Sequence, residues 1–138
     1  MDKEKNKQRL VCCIMGENCE RFIKMCLESV KEADTIVYCD GGSSDNTFML
    51  IENFELENKK EIDFITNKFD QEDKGMNGRQ RNFYLSHLQK NYPDWYALCL
   101  DADEVLDEGG IKKIKDFLSN DNNTRFTSIF DIHMRHFI

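Results

Sequence analysis

The residues best suited to chemistry in this chain are acids placed where apolar runs stop. The run Trp95-Tyr96-Ala97-Leu98-Cys99-Leu100 passes directly into Asp101-Ala102-Asp103-Glu104, three carboxylates within four positions. An uncompensated carboxylate is costly to bury, so these acids are expected at the solvent end of whatever element the run forms. Asp101 and Asp103, two apart, can be directed at one hard cation whose remaining positions are left to water or phosphate oxygens. The residues alone equally allow one Asp to cap a following helix while the others are solvated loop charge. A further acid, Asp40, ends the run Thr35 to Cys39 and opens Gly41-Gly42-Ser43-Ser44-Asp45-Asn46-Thr47. The glycines permit a sharp turn and close approach of a ligand. An acid at a strand tip can accept hydrogen bonds from a nucleobase N–H or a ribose hydroxyl, and the same stretch also reads as a capping turn with no ligand. Arg79 and Arg81 open a helical stretch, where the helix dipole disfavours cations; there they suit a diphosphate, or are surface arginines on an exposed turn.

The elements that must position these groups follow from apolar patterning. Leu10 to Met15 and Trp95 to Leu100 are continuous apolar runs, which predict strands buried on both faces as in the middle of a parallel sheet. Phe22, Ile23, Cys26, Leu27 and Val30 recur at three-and-four spacing and predict a helix, and Thr35 to Cys39 is the next strand. Strand, helix, strand in that order is a βαβ unit. Phe48, Ile51 and Phe54 continue a helix that Ser44, Asp45 or Asn46 can cap. Glu61 to Thr66 is a weaker strand, and the polar, glycine-containing Phe69 to Asn77 is the best candidate for a mobile loop. A helix runs from about Gly78 to Asn91. Beyond the acidic strand a short helix carries Ile111, Ile114, Phe117 and Leu118, Ser119 to Thr124 is a polar turn, and Phe126 to Met134 alternates as a last strand. His133 and His136 would face opposite sides of that strand, so a shared metal site is not expected; His87 reads as a surface residue. The alternation defines an α/β fold with a mainly parallel sheet. Asn18, Asp40, Arg81, Asp101 and Asp103 each follow a strand or open a helix, so right-handed crossovers gather them on one rim.

Composition narrows the function classes. With 138 residues the chain is expected to form a polar lead over residues 1–8 and one domain over 9–138. Its formal net charge of -7 opposes attraction to nucleic acid or anionic membrane. There is no apolar stretch of membrane-spanning length and no signal-peptide core, which reads as cytoplasmic. The six cysteines form no CxxC pair, and five of them (Cys12, Cys13, Cys26, Cys39 and Cys99) lie in apolar runs, as reduced buried thiols would. The Asp40 turn lacks the lysine of a P-loop and does not match the dinucleotide glycine pattern. Gly16-Glu17-Asn18 is not the basic glycine-rich loop expected of a nucleotidyltransferase. A hydrogen-bonding acid, a guanidinium and a metal-holding carboxylate pair are together the parts needed to hold a nucleoside diphosphate.

These pieces resemble the family 2 glycosyltransferases of the GT-A fold, a Rossmann-like nucleotide-diphospho-sugar transferase architecture. The likeness is carried by the first strand running into Gly16-Glu17-Asn18, by Ile36-Val37-Tyr38-Cys39-Asp40-Gly41-Gly42-Ser43-Ser44-Asp45-Asn46-Thr47, by Arg81-Asn82, and by Asp94-Trp95 leading to Leu100-Asp101-Ala102-Asp103-Glu104. It implies a UDP-, GDP- or dTDP-linked sugar donor across the carboxyl ends of the strands, contacted by Asn18, Asp40, Gly42, Ser43, Arg81 and Asp101. It also implies Mn2+ or Mg2+ at the DxD motif, Asp101 and Asp103, and an inverting transfer to a saccharide, lipid or protein acceptor. The family usually has Asn-Glu where this chain has Asn18-Cys19-Glu20. Its catalytic base lies in an acceptor half that would follow the last strand; Asp131, the only acid on that strand, has no motif to support it. The expectation is therefore a donor-binding fragment of a longer enzyme, or a minimal relative completed by a partner or a second copy. The alternative function is a noncatalytic nucleotide-binding or assembly module that keeps the donor half of the fold.

Overall fold

The computed structural model describes residues 9–70 and 72–124. Strands β1 (Leu10–Gly16), β2 (Thr35–Asp40), β3 (Ile62–Thr66) and β4 (Tyr96–Asp101) alternate with helices α1 (Ile23–Val30), α2 (Thr47–Asn58), α3 (Met76–Asn91) and α4 (Gly110–Leu118). A single turn, α5 (Asp121–Thr124), follows where a polar turn is expected. The predicted last strand, with Asp131, His133 and His136, lies outside the described residues. No helix among the described residues is long and apolar enough to cross a membrane.

All pairings are parallel and the strand order is β3-β2-β1-β4. β1 is central, and its alternation divides the core. Leu10, Cys12 and Ile14 face a cluster with Ile23, Leu27 and Val30 of α1, Ile51 and Phe54 of α2, and Ile111 and Leu118 of α4. Val11, Cys13 and Met15 face Tyr84 and Leu88 of α3, together with Val37 and Cys39 of β2. Helices thus cover both faces, which is why β1 and β2 read as unbroken apolar runs.

β4 departs from the reading as a strand buried on both faces. Leu98 and Leu100 are buried against the α1 and α4 side, but Ala97 and Cys99 are exposed. The reason is position: β4 is the outer strand of the described sheet, and α3 lies over β1 and β2. Cys99 is accordingly not one of the buried thiols; the other five cysteines are, and all six are unpaired. His87 is also more than a surface residue, since its Nε2 lies 2.7 Å from Asp63 Oδ2 at the start of β3, and the Tyr92 hydroxyl donates to the same oxygen at 2.9 Å.

Candidate functional site

The connections out of β1 and out of β3 leave in opposite directions. β1 leads through α1 to β2 on one side, whereas β3 crosses back through α3, on the other face, to β4 beside β1. A crevice opens at such a switch point, outside the carboxyl ends of the two strands, and is the usual ligand position in an open α/β sheet. Here it is a cleft of about 620 Å³ lined by residues 15–19 at the end of β1 and beyond it, Asp101, Ala102 and Asp103 at the end of β4 and beyond it, Phe22, Phe69, Asp70, Asp73 and Lys74 between β3 and α3, and Met76 and Asn77 at the start of α3.

Asn18 belongs to the cleft wall and also joins two loops. Its backbone is left-handed at φ 50°, a conformation Asn tolerates better than most residues. Its side-chain oxygen accepts from the N–H groups of Ser44 (2.7 Å) and Asp45 (3.2 Å), while its own N–H donates to Ser43 Oγ at 2.9 Å. The next residues continue the join: Cys19 N–H donates to Thr47 Oγ1, Glu20 N–H to Asp45 Oδ2, and Asn46 N–H to Glu20 Oε2. Glu20, one position later than the family pattern places its acid, therefore fastens the β1 and β2 loops together. Asp45, one residue before the N-cap of α2, accepts from the Thr47 N–H at 2.9 Å. Desolvation would raise its carboxyl pKa, but hydrogen bonds from the Thr47 hydroxyl and N–H and from Glu20 N–H hold it below the usual 3.8. Burial pushes the Cys19 thiol up, against hydrogen bonds with Tyr38 and Thr47, which favours the neutral form of this cysteine in the cleft wall.

Asp40 ends β2 and is buried. Its Oδ2 accepts from the N–H groups of Gly42 (2.9 Å) and Ser43 (2.8 Å), and its Oδ1 accepts from the Ser43 hydroxyl at 2.6 Å. A carboxylate offers about four acceptor positions, which leaves Oδ1 capacity for one more donor. Gly42 holds φ at 105°, where a side chain would be strained, and Gly41 lies under the Phe69 ring so closely that an added Cβ would fall 1.8 Å from a ring carbon. Asp40, Gly42 and Ser43 thus form a rigid turn beside the cleft, joined to its wall through Asn18, rather than part of the wall itself.

The loop before α3 folds on itself. Asp70 accepts from Glu72 and Asp73, and Asp73 from Gly75 and Met76. α3 begins at Met76, two residues before the expected start, so Arg81 lies in its second turn and the dipole argument reaches only Arg79. Arg79 is answered by an ion pair with Asp73. Arg81 Nη2 stands 3.8 Å from Asp101 Oδ1, with both side chains about half exposed, so the pair is weak and the guanidinium remains available to other anions.

Asp101 and Asp103 both line the cleft, and the buried Ala102 between them ties the segment to the sheet by donating from its N–H to the Met15 carbonyl at 2.9 Å. The structure therefore brings Asn18, Asp101 and Asp103 together, with Arg81 at the rim and the Asp40 turn alongside. No group of three metal-ligating side chains converges among the described residues. Two carboxylates nevertheless fit Mg2+ or Mn2+, which keep several waters and are commonly held by one or two carboxylates plus substrate phosphates. Sequence reasoning missed Phe22, Phe69 and Lys74 as cleft residues. The local pattern puts Phe22 on the α1 face and Phe69 in a loop, and nothing in it says which helix face or loop side borders an opening.

The sheet is parallel α/β, with its crevice at the carboxyl ends of β1 and β4, the switch point of the strand order. The model of the family "Glycosyl transferase family 2" matches residues 12–133, and the chain belongs to that family. Its solved structural neighbours are GT-A glycosyltransferases. One is S. aureus TarS 1-349 in complex with UDP, 20% identical with a TM-score of 0.62, covering 80% of this chain and 32% of that one. Another is the mannosyltransferase PcManGT from Pyrobaculum calidifontis in complex with GDP-Man and Mn2+, 16% identical with a TM-score of 0.57, covering 89% of this chain and 34% of that one. This chain spans about a third of the length of these two neighbours. A search of curated proteins finds no match to the sequence.

Proposed function

We propose that this chain binds a nucleoside-diphosphate sugar and contributes the donor half of a metal-assisted, inverting glycosyl transfer. The observation that carries the proposal is the pair Asp101 and Asp103 in the cleft at the end of β4, with the Arg81 guanidinium beside them. Among the described residues, neither of these aspartate side chains accepts a hydrogen bond that closes a loop, unlike those of Asp40 and Asp45. The remaining charges support a cation as well. Among the described residues, Glu17, Asp70, Asp73, Asp101 and Asp103 line the cleft with Lys74 as the one basic side chain, so an anionic diphosphate entering it would be repelled without a cation.

Asp101 and Asp103 would hold Mn2+ or Mg2+, which when bound supplies electrostatic stabilisation of the charge developing on the leaving nucleoside diphosphate. Arg81 adds donors in a fixed fork suited to a phosphate. Asp40 Oδ1, with one acceptor position left, receives an N–H or hydroxyl of the nucleoside, and Asn18, Gly42 and Ser43 hold the turn that presents it. The buried, unpaired thiols support a reducing, cytoplasmic setting.

Calorimetry with UDP, GDP and dTDP, with and without Mn2+, tests the reading. Metal-dependent binding of at least one nucleotide is expected; no metal-dependent binding of any of them overturns it. The alternative reading is a noncatalytic module that keeps the donor half of the fold. Turnover of a nucleotide sugar by this chain alone excludes that module.

A further inference from the structure

Gln80 is fully buried in α3, one residue before Arg81. Its Oε1 accepts from Asn67 Nδ2 at 2.8 Å and its Nε2 donates to the Asn67 carbonyl at 3.0 Å. Asn67, just past β3, also donates its N–H to the Asp40 carbonyl at 2.9 Å. A continuous polar path therefore runs from the end of β2, through Asn67 and Gln80, to the helix turn that carries Arg81, and Arg81 in turn faces Asp101 at the end of β4. Amide side chains are seldom fully buried, and an apolar residue would fill the position without giving up hydration. What the amide adds is one orientation. With both its donor and its acceptor engaged by a single residue, Gln80 fixes the height and rotation of α3 against the sheet. Arg81, about 100° further round the helix, inherits that setting.

We propose that Gln80, with Asn67, is a positioning residue for the nucleotide: the brace ties the turn of α3 that carries Arg81 to the end of β2 and so sets the guanidinium beside the Asp101 carboxylate. The inference rests on the proposed nucleotide site and says which buried groups hold its two sides in register. It concerns geometry transmitted through Arg81, not contact between Gln80 and any ligand.

The test is a set of binding cycles. Gln80→Met keeps the volume and removes both hydrogen bonds; Asn67→Ala removes one of them and serves if the first variant does not fold. Each is made alone and together with Arg81→Ala, with folding followed by thermal melting and affinity by calorimetry with UDP, GDP and dTDP in Mn2+. Each brace variant is expected to weaken binding about tenfold in the unaltered background, the scale of lost support behind a contact residue. It is expected to have no further effect once Arg81 is Ala, although its effect on melting persists. Equal losses in both backgrounds, or no loss in either, overturn the brace while leaving the nucleotide site standing. If the unaltered chain binds none of the three nucleotides, the proposed function fails and the brace's assignment to a nucleotide fails with it.

Discussion

The two ends of the sheet use similar side chains to opposite effect. At the amino end, charges close the structure. Asp34 accepts the Leu10 N–H at 2.8 Å and pairs with Lys115 at 2.9 Å, Lys60 donates to the carbonyls of Lys31 and Ala33 just past α1, and Asp63 takes His87 and Tyr92. At the carboxyl end, Asp40, Asp45, Asn18 and Glu20 close loops in the same way, but Asp101 and Asp103 do not, and they border the cleft. A polar residue at a strand end is therefore no sign of function by itself. The distinguishing property is whether its hydrogen-bonding capacity is already satisfied by the fold.

That contrast can be broken experimentally. The largest effect is expected from replacing Asp101 and Asp103 with Ala: metal-dependent nucleotide affinity should fall by about a hundredfold or more, the upper range for lost support at a metal site, while melting changes little. Unchanged calorimetric affinity would remove the distinction between the two rims. Gly41→Ala should come next, since its new methyl must displace the Phe69 ring; a loss of about 1–3 kcal/mol in denaturant stability is expected, with a reshaped cleft wall. A neutral result would mean that Phe69 is loosely held and a poor wall residue. His87→Ala should cost about 1 kcal/mol through the bond to Asp63 and leave nucleotide affinity untouched, because that contact is at the amino end. A change in affinity would show that the two ends are coupled.

The smallest effect is a pH dependence. Burial alone would raise the Asp34 carboxyl, but the Leu10 N–H and Lys115 hold it below its usual 3.8. A depressed folded-state value means that the unfolded chain binds the proton more readily. The stabilisation is then present above the unfolded pKa and disappears as pH falls through the folded one. Asp34→Asn should flatten the melting curve against pH below about 4. An unaltered acid limb would show that Asp34 does not titrate with folding.

Much of this was legible in advance. The strand and helix order through α4 follows from apolar spacing, and the switch-point rim follows from the βαβ connectivity, because burial on two faces and right-handed crossovers are local or topological constraints. The double burial predicted for β4 did not hold, since Trp95 to Leu100 has the composition of a central strand and only the sheet order puts Ala97 and Cys99 outside. His87 was indistinguishable from a surface histidine because Asp63, its partner, is 24 residues away.

The same division runs through the site. The sequence by itself determined which acids end strands, and so which side chains could face a ligand: Asp40, Asp101 and Asp103. Only the tertiary structure decided how much of each one's hydrogen-bonding capacity the fold takes up, all but one acceptor position in the case of Asp40. Asp40 is enclosed by the Gly42 and Ser43 donors, whereas Asp101 and Asp103 border a cleft assembled from three separate loops and a helix start. The physical reason is that hydrogen-bond satisfaction is a property of three-dimensional neighbours. Asn18 meeting Ser44, and Gln80 meeting Asn67, join residues whose local spacing gives no indication that they will touch.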